Sequence, residues 1–429
     1  MTVAVMKTKA ELALAEQFQA VRGGLPGPLA VRDAGMAAFG ALGLPHRRIE
    51  EWKYTDLRTV LKDTAPPAAE NTKVTVADLI VGMGPWMDVD AARIVFVNGR
   101  YRKALSNLAG AESVRVVPLS EGFELASETA DAVTALNTAF VTDGARVEIP
   151  AGVSLEVPLY VIELSASAEA RTSTVRHTVQ VGAKARATIV ELYLTLPGSA
   201  QDTLNNTMVQ VTVGDGAALT HVKAVSEGAR GTHLSNWMVT LGKDSHYRGF
   251  QMTAGVALVR NGIGVTYGGE DSKLDLSGVF LGRGSDHIDT TLVVDHAVPG
   301  CESRELFAGV LDGRARGIFQ GKIIVRPHAQ KTDGKQMARV LMLSPDAEFD
   351  SKPELEIYAD DVVCGHGSTA AEIDADLLFY CRSRGIPERE ARAMLVESFI
   401  GEAIDKVEHE GLRGVLAKLA RQWLAGAAI

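Results

Sequence analysis

Val179-Gln-Val-Gly182 begins a loose internal repeat, which returns as Val211-Thr-Val-Gly214, Val239-Thr-Leu-Gly242 and Val265-Thr-Tyr-Gly268. The four glycines lie 32, 28 and 26 residues apart, and each is followed by a polar turn and another run of alternating apolar and polar residues. Alternation with a period of two is typical of β-strands. A repeat of this size in such sequence predicts stacked strands in a solenoid, a sandwich or a propeller.

The extent of the strand-like sequence favours a β-helix. This texture begins near Ala145 and continues to about residue 372, which is long for one sandwich. A β-helix accommodates that length because each turn buries its apolar face on its neighbours. No Trp-Asp signature recurs at a fixed period, which disfavours a propeller. A large sandwich or double sheet remains the alternative.

Helical sequence flanks the strand-like part on both sides. Thr8-Lys-Ala-Glu11 fits the capping box that begins a helix. Within the same N-terminal region, residues 94–97 are typical of a strand. We therefore predict a mainly β protein with three parts. These are a mostly helical N-terminal region (1–144), a parallel β-helix core (145–372) and a C-terminal helical domain (373–429).

The C-terminal domain carries two apolar stripes. Asp374 can cap a helix that runs to Arg384, and Gly385 can end it. The stripes that follow are Ala391, Met394, Leu395, Phe399 and Val407, and then Leu412, Val415, Leu416, Leu419 and Trp423. Either these helices cap the open end of the solenoid, or a stripe docks a partner.

The bulk composition excludes several classes of protein. The chain has 429 residues, with 44 Lys plus Arg against 53 Asp plus Glu, and its net charge is -9. An acidic chain without a run of basic residues is not expected to bind nucleic acid independently of sequence. The sequence contains no long apolar run, so we expect no membrane span. We also see no signal peptide in it. Three cysteines outside any CxxC motif favour the reducing cytoplasm.

Cys364-Gly-His366 is the most suggestive pair of side chains. If the strand through residues 355–359 continues, period two places the thiol and the imidazole on one face. Both are ligand types for zinc and for iron–sulfur clusters. Two ligands cannot complete a four-ligand site, so the pair predicts a site shared with another molecule. A buried structural cysteine is the alternative for Cys364, whereas the flanking glycines favour an exposed His366.

Other polar groups are less specific. His287 and His296 lie among Asp286, Asp289 and Asp295, where they line a site, form solvated edges or contact another subunit. No P-loop, dinucleotide fingerprint or Gly-x-Ser-x-Gly elbow occurs. We therefore predict no catalytic residue, no nucleotide site and no enzymatic activity.

The C-terminal third resembles the SufB/SufD family of iron–sulfur cluster assembly scaffolds. The matching segments are Gly317-Ile-Phe-Gln-Gly-Lys-Ile-Ile-Val325, Ala329-Gln-Lys-Thr-Asp333, Leu341-Met-Leu-Ser344, Lys352 to Gly367, Phe379-Tyr-Cys-Arg-Ser-Arg-Gly-Ile386 and Glu397-Ser-Phe-Ile400. Farther upstream, Gly43-Leu-Pro-His-Arg-Arg-Ile-Glu-Glu-Trp-Lys-Tyr-Thr55 resembles the SufD members and not the SufB members.

The resemblance implies a right-handed parallel β-helix flanked by helical N- and C-terminal regions. It also implies pairing with SufB through the end of the β-helix and docking of the ATPase SufC on the C-terminal helices. The candidate SufC contacts are Arg384, Gly385, Met394, Leu395 and Phe399. It makes His366, and more weakly Cys364, ligands of a transient iron–sulfur cluster shared with SufB, with no permanently bound cofactor.

Two other functions stay open from the residues alone. One is a β-helical carbohydrate-active enzyme, which the unpaired acidic positions and the missing export signal disfavour. The other is a cofactor-free interaction protein. Whether the isolated chain forms homodimers is left open.

Overall fold

The computed structural model describes residues 7–68, 72–122 and 124–426, and two stacked β-sheets form its centre. Sheet 1 has nine strands in the spatial order β3 (Arg115–Pro118), β4 (Ala145–Ile149), β6 (Thr172–Val181), β8 (Leu204–Val213), β10 (Thr232–Leu241), β12 (Leu258–Tyr267), β14 (His287–His296), β16 (Arg316–Val325) and β18 (Glu348–Ile357). Sheet 2 has ten strands in the order β2 (Arg100–Tyr101), β1 (Ala92–Val97), β5 (Leu159–Ser165), β7 (Arg186–Thr195), β9 (Ala218–Ser226), β11 (His246–Ala254), β13 (Lys273–Gly282), β15 (Glu302–Leu311), β17 (Asp333–Met342) and β19 (Val363–Ala371).

The connectivity makes these sheets a solenoid. From β4 onward the chain alternates between sheet 1 and sheet 2, and each strand from β6 onward pairs in parallel with the strand two before it. Two strands form one turn, which gives about eight turns. A sandwich of hairpins would be antiparallel. The predicted parallel β-helix is therefore confirmed and the sandwich is excluded.

The repeat that predicted this fold is the register of sheet 1. Val179 pairs with Val211, Val211 with Val239 and Val239 with Val265, and all four are buried between the sheets. Gly182 follows directly, where the preceding turn passes closely. A Cβ on Gly182 would lie 2.4 Å from the backbone nitrogen of Ala151. A Cβ on Gly214 or Gly242 would also lie within 3.0 Å of the preceding turn, whereas one on Gly268 would lie 3.3 Å away. Close approach of successive turns therefore explains the first three glycines of the repeat.

Helices and short 3-10 turns surround the solenoid. The helices are α1 (Lys9–Val21), α2 (Leu29–Leu42), α3 (Leu57–Val60), α4 (Val76–Met83), α5 (Ala132–Phe140), α6 (Ala375–Ser383), α7 (Glu388–Ile404) and α8 (Glu410–Ala425). The 3-10 turns are Arg22–Gly24, Glu50–Trp52, Gly84–Asp88, Lys103–Leu105 and Leu119–Glu121. None of the helices in the described ranges is long and apolar enough to cross a membrane.

Both outer faces of the solenoid are covered by helices. Helices α1, α2 and α5 share an apolar cluster with Leu234 and Leu258 of sheet 1. Helices α4, α7 and α8 share another with outward-facing residues of sheet 2 such as Val279 and Val310. The C-terminal helices therefore lie along the side of the solenoid. The alternative in which they cap its open end is wrong for α7 and α8, because their buried rows pack on outward-facing apolar residues of sheet 2.

The predicted helix caps form, and the predicted apolar stripes form in part. Thr8 and Glu11 form the predicted capping box, and Asp374 caps α6. The predicted stripe of α8 is buried apart from Leu419, which is half-buried. The stripe of α7 is wrong at Met394, which is 48% exposed. The buried row of that helix comprises Ala391, Val396, Ile400, Ala403 and Ile404.

Asp289 attaches the N-terminal region to sheet 1. It is fully buried, accepts a hydrogen bond from Thr55 and forms an ion pair with Arg260. Arg260 also donates to the carbonyl oxygen of Glu51 at 2.7 Å, and its guanidinium lies 4.7 Å from the ring centre of Trp52. Asp289 and its neighbour His287 thus belong to an internal clasp. Asp295 of the same sequence cluster instead forms a solvent-exposed ion pair with Arg326, and His296 is buried beside Ser303.

Candidate functional site

The solenoid ends openly at β18 and β19. Each has a paired neighbour on one side only among the described strands, because no later turn covers them. Every residue of β18 and β19 is at least partly exposed, whereas the turns before them are largely buried. Exposed apolar side chains include Tyr358 and Val363 at this end. The end therefore presents unpaired backbone and apolar surface, which are features of a surface that pairs with another chain.

Cys364 and His366 lie on this last strand. Cys364 pairs in register with Gly334, and His366 pairs with Gln336, so both occupy alternate positions on one face of β19 as predicted. Cys364 is half-buried against the interior apolar cluster. His366 is exposed, which confirms the expectation from its flanking glycines.

Burial is the main influence on the pKa of the Cys364 thiol. It raises the pKa of Cys364 above the ordinary value, and the nearby Asp333 charge acts in the same direction. A hydrogen bond from the Gly334 backbone opposes that rise without cancelling it. The free chain therefore keeps Cys364 mainly as a neutral thiol, which is a poor metal ligand until a cation approaches.

The pair is an incomplete ligand set. Within the described residues, no group of three or more His, Cys, Asp or Glu side chains is placed to hold a metal ion. The other cysteines do not help, since Cys301 is buried and Cys381 belongs to α6. A four-ligand cluster at this end would need ligands from outside the described chain.

A groove adjoins the outer face of the same strands. Its volume is about 460 Å³, and its lining includes Arg304, Lys335, Met337 and Lys406. Gly365 has no side chain to cover the outer face of β19, and the space beside it is open, since a Cβ there would meet nothing within 4 Å. The backbone of β19 is therefore approachable from outside as well as from the open end.

The predicted docking residues fall into two groups. Arg384 and Gly385 are exposed at the end of α6, where the Arg384 guanidinium lies 4.8 Å from the ring centre of Tyr380. Met394 is exposed on α7 and Leu395 is half-buried beside it. Phe399 instead packs against the cluster that joins α7 to sheet 2, with Arg339 over its ring.

An exposed apolar surface on α6 was not predicted from the sequence. Helix α6 has no buried residue, and Leu377, Phe379 and Tyr380 are 52%, 73% and 55% exposed. Three large exposed apolar side chains on one short helix are unusual for a monomer surface. The signal available in the sequence was the run of four consecutive large apolar residues from Leu377 to Tyr380, which one buried helix face cannot cover.

Comparison with known proteins now identifies the family. A family model described as "SUF system FeS cluster assembly, SufBD core domain" matches residues 164–399, and one described as "SufBD protein N-terminal region" matches residues 28–161. The chain belongs to the SufBD family. It is an iron–sulfur cluster assembly protein of that family, as the resemblance in the sequence predicted.

Several curated SufBD proteins are similar over most of their length. The chain is 31% identical to a SufBD family protein of Synechocystis, which covers 88% of this chain and 87% of that one. It is 29% identical to the iron–sulfur cluster assembly protein SufD of Escherichia coli, with 90% of each chain covered. SufD of Bacillus subtilis is 28% identical, over 67% of this chain and 65% of that protein.

Proposed function

We propose that this SufBD protein is a SufD-type, non-catalytic scaffold subunit that builds an iron–sulfur cluster jointly with SufB and the ATPase SufC. The observation that carries the proposal is the incomplete Cys364 and His366 pair on the uncovered last strand. A thiol and an imidazole are suitable cluster ligands, but they are half of the number required. A partner chain that pairs with the open end would supply the remainder.

An incomplete site also suits delivery. The cluster is cargo in this proposal, so it must leave, and an exposed imidazole exchanges more readily than a buried cage of four thiolates. Raising the pKa of Cys364 by burial keeps its thiol neutral in the free chain. Ligation at Cys364 would then begin only when iron and the partner are both present. The proposed location is the cytoplasm.

The SufC contact is proposed on α6 and the adjoining part of α7. Phe379, Tyr380 and Met394 supply an exposed apolar surface with the neighbouring Arg384 guanidinium. An aromatic residue beside an arginine is typical of residues that dominate interface energies. The two proposed contacts use different residues, since SufB would bind β18 and β19 and SufC would bind α6 and α7.

The cluster proposal is tested in the assembly prepared anaerobically with SufB and SufC. His366→Ala is expected to lower the cluster's visible absorbance and the maturation of client proteins, with the complex still assembled. Ser368→Ala is the matched control, because Ser368 is exposed two residues along on the same face of β19. Undiminished absorbance and maturation in His366→Ala would refute the shared-ligand proposal.

The docking proposal is tested separately with point variants. Deleting α6–α8 would uncover the apolar outer face of sheet 2, so it is a poor experiment. Phe379→Ser should reduce co-purification of SufC without affecting SufB. Leu12→Ser on α1 is the control, because Leu12 is also a half-exposed apolar residue on a helix. Full SufC capture by Phe379→Ser would contradict the assignment.

A further inference from the structure

Three side chains form a column in the last turns of sheet 2. Glu305 on β15 pairs with Gln336 on β17, and Gln336 pairs with His366 on β19. Neighbouring strands lie about 4.8 Å apart, so residues paired in this way stack directly above one another. On the other side of Glu305 the column meets Leu276, which belongs to the apolar interior. The polar column therefore runs inward from the exposed His366 imidazole and ends at the apolar side chain of Leu276.

The buried part of the column lacks hydrogen-bond partners. Glu305 and Gln336 are 2% and 3% exposed. Within the described part of the chain, neither carboxylate oxygen of Glu305 has a partner at normal hydrogen-bond geometry, although the Ser303 hydroxyl is close enough to lower its pKa. The amide oxygen of Gln336 also has no partner there. The Gln336 amide nitrogen donates across the interior to the carbonyl oxygen of Gly321 at 3.4 Å, a long hydrogen bond. Buried groups of this kind are rare and are commonly explained by a bound water or ion.

The unpartnered atoms are the side-chain oxygens of Glu305 and Gln336. Arg304 and Lys335 occupy the adjacent register row, which faces the other side of the strands. Both form ion pairs with Asp333. Burial raises the pKa of Glu305 to about 8, although Arg304 and Ser303 oppose the rise. Arg304 acts from the opposite side of the strand, and Glu305 forms no ion pair among the described residues.

We propose that Glu305, Gln336 and His366 bind a divalent first-row transition-metal ion inside the open end of the solenoid. Carboxylate and amide oxygens with one imidazole nitrogen suit ions such as Fe²⁺ or Mn²⁺. The ion would supply the positive charge that the buried acceptors lack, with water completing its coordination. The inference deepens the proposed function, on which its role rests. Iron held here would share the His366 imidazole with the proposed cluster site at the same end of the solenoid.

The test uses the full chain alone, prepared anaerobically, with Mn²⁺ as a paramagnetic probe and Fe²⁺ in parallel. Glu305→Gln keeps the shape of the side chain, so the fold should survive, and a thermal unfolding curve checks this. Its affinity for Mn²⁺ should fall by at least about tenfold. The matched control is Glu302→Gln, because Glu302 lies on the same strand in an exposed ion pair with Lys273. His366→Ala should abolish the nitrogen coupling in the Mn²⁺ spectrum.

The outcomes separate this inference from the proposed function. Equal Mn²⁺ affinity in Glu305→Gln and the unaltered chain would overturn it and assign the column to a shared proton or water. The absence of saturable Mn²⁺ or Fe²⁺ binding by the unaltered chain would also overturn it. Metal binding that depends on Glu305, in a chain that fails to assemble a cluster with SufB, supports the metal site while refuting the scaffold proposal.

Discussion

Replacing Asp289 with alanine should release the N-terminal region from the solenoid. Asp289 is fully buried under residues 50–55 and is the carboxylate partner of Arg260, which is 6% exposed. The variant leaves the guanidinium buried with its carbonyl contact to Glu51 and without a negative charge. An uncompensated buried charge is one of the few single changes with a large effect on stability.

The magnitude follows from the contacts. Removing one partner of a buried ion pair costs about 3–5 kcal/mol. Because Arg260 keeps the Glu51 carbonyl oxygen and the face of Trp52, the lower end applies. A loss of about 3 kcal/mol corresponds to roughly a hundredfold change in the opening equilibrium of this region.

Hydrogen exchange measures that opening directly. The amides to follow are those of Trp52, Thr55 and Leu57, whose hydrogen bonds hold the segment in shape. Trp52 fluorescence should change in parallel, because the guanidinium of Arg260 covers its ring. The interior strands should keep their protection, since the segment lies outside the solenoid.

Asp295 provides the matched control on the same strand. It forms a two-bond ion pair with Arg326, but that pair is exposed to solvent. Exposed pairs contribute little because water solvates both charges after the change. Asp295→Ala should therefore leave exchange and unfolding nearly unaltered. Equal effects of the two variants, or unchanged protection in Asp289→Ala, would refute the argument that burial sets the energy of this clasp.

Three further variants probe the core. Gly144→Ala should cost at least about 2 kcal/mol in denaturant unfolding, because its Cβ would lie 1.7 Å from the Arg176 carbonyl oxygen. Burial would raise the pKa of Glu191, yet neighbours led by His221 hold it at about 2. The ionised Glu191 therefore stabilises the folded state above about pH 4.5, and this contribution is lost as the pH falls toward 2. The free energy of unfolding of Glu191→Gln should accordingly depend less on pH between these two values. Leu416→Ala, at a fully buried position, should cost about 2–5 kcal/mol and lower the exchange protection of α8.

The sequence predicted elements whose cause is local. The capping box at Thr8 and the cap at Asp374 depend on side chains within a few residues of the backbone groups they bond. The placement of Cys364 and His366 on one face follows from strand geometry alone. These predictions needed no knowledge of the neighbouring turns.

Burial of polar side chains was not predictable in the same way. Glu305 alternates with Arg304 and Leu306 in a pattern that gives no indication which face is inside. Asp289 looks like one more surface acid, and only the docked segment at Thr55 makes it buried. The direction of a polar residue depends on what later packs over it, which is absent from its own neighbourhood in the chain.

By itself the sequence determined the stacked parallel strands, the position of their tight turns and the half-complete ligand pair. It could do so because strand periodicity and glycine spacing are imposed by backbone geometry and recur in every turn. Only the tertiary structure decided that α7 and α8 lie along sheet 2, leaving the solenoid end open, and that Glu305 and Gln336 stack beneath His366. An amphipathic stripe requires an apolar surface to cover it but does not specify which one, and that choice is made by contacts between residues far apart in the chain.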